Sequence, residues 1–248
     1  MKLFQRIFFA AVLAGLAAGI GMSALQQWKV APLILAAEVH ENAEAAAPVH
    51  EHDATIAATV AHEHQHDEDA WAPQDGVERI GFTVLAALLA SIGFALLLAA
   101  VSVLSGIEIT ARNGVLWGLG GFIVFQLAPA FGLAPELPGM PAADLAARQV
   151  WWLGTAFATG AGLLAIAKFR SWTAIAAAAV LILLPHIIGA PELVPQPESG
   201  VPAHLATAFA ASALSVGAVF WLTVGPLLGW LNERFARSPS FAFKGAIA

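Results

Sequence analysis

Apolar residues fill most of this chain in windows of about twenty, with short breaks of proline, glycine or charge between them. The windows cover residues 7–25, 80–104, 114–131, 149–167, 172–188 and 204–231. A helix crossing the hydrocarbon core of a bilayer needs about 20 such residues, so the pattern predicts six spans. The first window follows Lys2 and Arg6, as a cleaved leader would, but its 19 residues exceed the roughly 7–15 of a leader core. A retained span is therefore expected. Gly15 and Gly19 give it a GxxxG step suited to close helix packing.

One break is unlike the others. Residues 28–78 carry eleven acids, one lysine and six of the eight histidines. They separate a first span within 1–27 from a bundle of about five further helices and a short tail in 79–248. So long a polar stretch without periodicity reads as a loop outside the membrane.

Composition narrows the class. Charged residues make up 11% of the chain, against about 25% in soluble domains. There is no cysteine, so neither disulfides nor thiolate metal sites exist. The net charge of −6 offers nothing to a nucleic acid. With both termini cytoplasmic, Lys2, Arg6, Arg112, Lys168, Arg170, Arg234, Arg237 and Lys244 lie inside and only Lys29, Arg79 and Arg148 outside. Every loop then obeys the positive-inside rule. Fifteen of the seventeen acids, all but Glu108 and Glu233, fall on the outer side.

The chain also repeats itself. Residues 127–137, LAPAFGLAPEL, align without gaps on residues 183–193, LLPHIIGAPEL. PAADLA at 141–146 resembles PAHLA at 202–206, which sets Asp144 opposite His204, and TAFA occurs at 155–158 and 207–210. Ala31-Pro32 and Thr83 mark a fainter third copy. The repeats imply three helical hairpins whose inner turns share one face of the membrane. The plainer alternative is that proline and glycine recur because they make turns.

The chemistry expected on that face is metal-binding, against the plainer reading of a solvated, acidic, low-complexity loop. His40, His50, His52, His62, His64 and His66 are threaded with carboxylates, the donor set of borderline divalent ions. In an extended segment His62, His64 and His66 lie on one side. Ligation needs neutral imidazole, so capture by this tract fails below about pH 6. Glu136 and Glu192 are candidates for a cation-attracting entrance, with Asp144, His186 and His204 beside them. Exposed loop acids and an interfacial histidine are the ordinary readings of the same residues. Arg148 stands four residues after Asp144, on one helical face, and a pair between them is expected. Trp151 and Trp152 fit an interfacial aromatic belt, and Gln126 offers a hydrogen bond to another helix. No phosphate loop, HExxH or catalytic triad appears, so no enzyme is expected.

The segments LAPAFGLAPELPGMPAADLAARQVWW, LPHIIGAPE and WAPQDGVER resemble the signature segments of the CbtA family of bacterial cobalt transporter subunits. The resemblance runs over nearly the whole chain. It implies an all-α multi-pass protein of the bacterial inner membrane that takes up Co²⁺ for cobalamin synthesis, with no prosthetic group. It also implies a partner, a small single-span, histidine-bearing CbtB-type subunit. The donor set alone would equally accept Ni²⁺ or Zn²⁺. A membrane-anchored metal sensor or donor is the competing class, in which the histidine loop acts and the helices only anchor it.

Overall fold

The computed structural model describes residues 2–45, 73–192 and 200–238. Among these the chain is all helical: α1 (Lys2–Leu25), α2 (Ala31–Ala45), α3 (Val77–Ser105), α4 (Gly114–Phe122), α5 (Ala128–Ala130), α6 (Leu145–Phe169), α7 (Trp172–Ile188) and α8 (Ala203–Arg237). Two π-turns, Gln26–Val30 and Ile123–Leu127, join α1 to α2 and α4 to α5. Among the described residues four stretches are long and apolar enough to cross a membrane: Leu3–Glu41, Val77–Ser105, Leu145–Phe169 and Ala203–Arg237. Gly114–Ala130 and Trp172–Ile188 are shorter apolar helices. The chain is a multi-pass membrane protein, and large apolar side chains such as Leu104, Phe157, Trp172 and Ile187 are exposed on its outside.

The first helix does not stop where the sequence pattern places the start of a loop. It widens into a π-turn, in which the Ala31 N–H reaches back to the Gln26 carbonyl, and continues as α2 to Ala45. Pro32 follows at once, and the second π-turn repeats the device: the Ala128 N–H bonds the Ile123 carbonyl and Pro129 follows. A proline lacks the N–H that its fourth preceding carbonyl would use, and a wide turn is one way to absorb that loss. The Ala31-Pro32 match is thus also a local structural match. Pro185 in α7 lies in the corresponding place without a π-turn.

Packing follows the repeats only in part. The first hairpin is formed, α1 against α3, and the end of the third span, the π-turn with α5, touches α6, but the other close pairs are α1 and α4 with α8, and α6 with α7. Small residues decide these pairings, because dispersion between close backbones replaces the hydrophobic effect in lipid. A Cβ on Gly15 would sit 2.7 Å from the Ile92 Cα, and one on Gly19 would sit 2.8 Å from the Ser91 Cβ, as the GxxxG step anticipates. On α4 and α8, Gly114 faces Gly225 and Gly118 meets the Trp221 carbonyl. The core between them is Ala10, Ala14, Ala95, Phe220, Trp221 and Val224, with Phe125 stacked on Trp221 at 5.5 Å.

The bundle has two unlike ends. At one, Arg6, Lys168 and the start of the α8 tail gather around the loop 106–113: Lys168 Nζ donates to the Ser105 carbonyl and the Ala111 N–H to Glu233. We call this the basic end. At the other stand α2, the turns after α5 and α7, and the start of α8.

Candidate functional site

The turns after α5 and α7 meet at the end opposite the basic one. A Cβ on Gly132 would lie 2.9 Å from that of Ala190, and both sit against Trp151 at the start of α6 or beside it. The Trp151 Nε1–H donates to the Pro185 carbonyl at 3.2 Å. Its ring and that of Phe131 meet the His186 imidazole edge-on, at 5.8 Å and 6.2 Å between centroids. A cavity of about 540 Å³ opens here, lined by Leu127, Phe131, Trp151, Leu183 and His186 among others. His186 is therefore one imidazole in an apolar, aromatic setting.

α2 roofs the neighbouring part of this end. Ala37 packs with Leu137, Val201 and Leu205, joining α2 to the turn before α6 and to the start of α8. Glu38 pairs with Arg79 at the start of α3, and Arg79 also reaches Asp75 at 3.2 Å. Glu41 lies against Gly139, whose φ of +77° suits the residue without a Cβ. His40 is half-buried on the same helix.

The acids expected at an entrance have partners of their own. Glu136 accepts a hydrogen bond from Arg148 at 2.8 Å, and both side chains are mostly buried. The expected Asp144–Arg148 pair is not formed. Asp144 instead caps α6, its Oδ1 accepting from the Ala147 N–H at 2.9 Å, as a residue just outside a first helical turn does. Glu192 and His204 are exposed. His50, His52, His62, His64 and His66 lie outside the described residues. Among the described residues no three His, Asp or Glu side chains come together as a metal site. The described part of this end thus holds donors singly or in ion pairs.

Sequence reading missed the Trp151–Pro185 hydrogen bond. No local signal marks it: the carbonyl that Pro185 leaves without an N–H is that of Leu181, whereas the indole bonds the carbonyl of Pro185 itself, which also accepts from the Gly189 N–H.

The model of the CbtA family, described as a probable cobalt transporter subunit, matches residues 4–233. The chain belongs to this family. No curated protein and no solved structure matches it. Cobalt transport makes Co²⁺ a substrate of the family, and a cysteine-free chain with imidazole and carboxylate donors has the chemistry for a borderline divalent ion. Description as a subunit also implies partner chains.

Proposed function

We propose that the chain carries a divalent transition metal, Co²⁺ by its family, inward across a bacterial inner membrane. In this reading the polypeptide crosses six times, with both termini cytoplasmic and the basic end inside, as the positive-inside rule requires. The histidine-rich segment, His50 to His66 together with His40 on α2, captures the ion. Glu192 and His204, exposed at the same end, and His186 in its cavity pass it inward. Glu136 shapes the entrance through Arg148, and Asp144 through its cap on α6. A small CbtB-type subunit completes the assembly.

The observation that carries this reading is that the turns after α5 and α7 meet at the same end where α2 packs on the turn before α6 and the start of α8. A shared mouth requires all three stretches at one end. Energy is sufficient without nucleotide hydrolysis. An inside-negative potential of 100 mV favours entry of a doubly charged ion by about 4.6 kcal/mol, twice the value per unit charge.

The test is ⁵⁷Co flux into proteoliposomes of the full chain, with and without its partner subunit, under an imposed inside-negative potential. Removing residues 46–69 keeps α2 and its Glu38–Arg79 pair intact. Flux at saturating cobalt should survive this deletion while the half-saturating concentration rises. Metal binding that vanishes with the segment, and no flux in any form, would instead identify a sensor or donor. Labelling that put residues 136–140 and 189–192 on opposite faces would end the proposal.

A further inference from the structure

The basic end contains a second cavity, of about 360 Å³, between α1, α3 and α8. α3 ends on Gly106 in the left-handed region, and Ser102 Oγ donates to the Ile107 carbonyl at 2.7 Å as the chain turns back. Thr110 and Asn113 lock the next turn through reciprocal side-chain bonds, and the Ala111 N–H ties it to Glu233 on α8. Glu108 is thereby held beside Arg6 of α1 and Asn232 of α8. Most of the remaining wall is apolar, including Leu3, Ile7, Val103 and Leu228. Leu3 and Val103 are more than half exposed, so the rim of the cavity belongs to the lipid-facing surface.

The polar groups of the wall have opposite needs. Asn232 is 7% exposed, and its Nδ2 faces two acceptors, the Ile109 carbonyl at 3.2 Å and Glu108 Oε1 at 3.4 Å. That pair fixes the amide, and Oδ1 is left without a donor. The Arg6 Nε is buried without an acceptor. Arg6 Nη2 stops 3.8 Å from the same Glu108 Oε1, too far for a hydrogen bond. Neither approach uses Glu108 Oε2, and this side chain is two-thirds exposed. Leaving a buried polar group unsatisfied is costly, and more so close to lipid. Water would serve the polar atoms but not the apolar wall around them. The missing partner therefore carries an acceptor for Arg6, a donor for Asn232 and Glu108, and apolar bulk.

We propose that this cavity binds a phospholipid with a phosphoethanolamine headgroup. A phosphate oxygen accepts from Arg6 Nε, the ammonium donates to Asn232 Oδ1 and Glu108 Oε2, and the acyl chains lie along Leu3, Ile7 and Val103. Charge selects this headgroup. Arg6 and Glu108 cancel one another, and so do phosphate and ammonium, which a two-carbon link holds at a comparable separation. A phosphoglycerol headgroup would bring uncompensated negative charge to Glu108, and a choline headgroup has no N–H for Asn232. The cavity lies where α1 starts and α3 and α8 end, at the edge of the hydrocarbon core, which is the depth of headgroups. The bound lipid ties these three helix ends together. The site needs only a bilayer around the bundle and stands whichever way metal moves.

The test compares headgroups on identical acyl chains. Full-length protein, stripped of lipid in detergent, is titrated with phosphatidylethanolamine, phosphatidylglycerol or phosphatidylcholine, and bound lipid is counted by native mass spectrometry. The wild type should bind phosphatidylethanolamine roughly ten-fold more tightly than either rival, the scale of one hydrogen bond to a charged group. Arg6→Gln should weaken that binding by about the same factor. Glu108→Gln alters an exposed side chain, so folding is spared, and it should bring phosphatidylglycerol level with phosphatidylethanolamine or above it. Soluble phosphoethanolamine at the same concentration should not compete, because it has no chains for the apolar wall. Any wild-type order that does not put phosphatidylethanolamine first, or an order that Glu108→Gln leaves unchanged, would mean unselective surface lipid and overturn the proposal. Full competition by soluble phosphoethanolamine would overturn the lipid assignment too.

Discussion

Gly118 on α4 lies against the main-chain carbonyl of Trp221 on α8, leaving no room there for a methyl group. The two backbones touch at this point. Overpacking a filled interface costs about 1–3 kcal/mol, so Gly118→Ala is expected to lower thermal stability in detergent by that much. Gly120, two residues on, has open space. Gly120→Ala should be neutral or stabilising by up to about 1 kcal/mol, since alanine is the better helix former. Equal losses in both variants would show that α4 and α8 are not in backbone contact.

Gln126 presses its amide on Gly217, and its Oε1 is buried without a donor. Gly217→Ala alone should destabilise the bundle by about 1–3 kcal/mol. Combined with Gln126→Ala it should cost less than the sum of the single changes, because truncating the amide clears the methyl. Additive losses in detergent melting curves would contradict this contact.

Glu136 and Arg148 form a pair that is partly open to solvent, so its coupling is modest. A double-mutant cycle on Glu136→Gln and Arg148→Gln is expected to give roughly 0.5–1 kcal/mol, shrinking with salt. Asp144→Ala should cost about 1 kcal/mol through the lost cap. If Asp144 rather than Glu136 couples to Arg148 in such a cycle, the geometry described is wrong.

Trp151→Phe keeps the ring beside His186 and deletes one donor. The Pro185 carbonyl retains the Gly189 N–H, which also bonds it. A loss of about 1 kcal/mol is expected, with faster amide exchange across residues 186–190. Unchanged exchange would mean that the indole N–H does not hold the end of α7.

In the proposed function the histidines of residues 50–66 capture the ion as neutral imidazoles, which gives the proposal a defined pH sense. Raising pH through the ordinary histidine range, near 6.5, should strengthen binding, and acidification below about 6 should release the ion. Equilibrium dialysis against Co²⁺ at several pH values checks this. Retention at pH 5 would point to carboxylates as the ligands in place of imidazole.

Hydrophobic windows were enough to find the cores of the six apolar helices among the described residues, because lipid demands satisfied backbones over about 20 residues whatever the neighbours are, but they missed α2, where the first helix runs on into the expected loop. The GxxxG step at Gly15 and Gly19 predicted a close approach, and α3 makes it. Asp144 and Arg148 show where such reading stops. Helical spacing brings them within reach, yet the cap position claims Asp144 and the fold delivers Glu136 to Arg148. Nothing local to residues 144–148 encodes that exchange.

Sequence alone determined the solvent of this protein, the cores of its apolar helices, its lack of cysteine and its family, since each depends on residue types along the chain and not on which helices are neighbours. Tertiary structure decided which helices are neighbours, which carboxylates are already paired, and that α1 runs on into α2 above the far turns. Those outcomes depend on glycine-sized gaps and on competition among charges far apart in the chain. They are settled only when the helices pack.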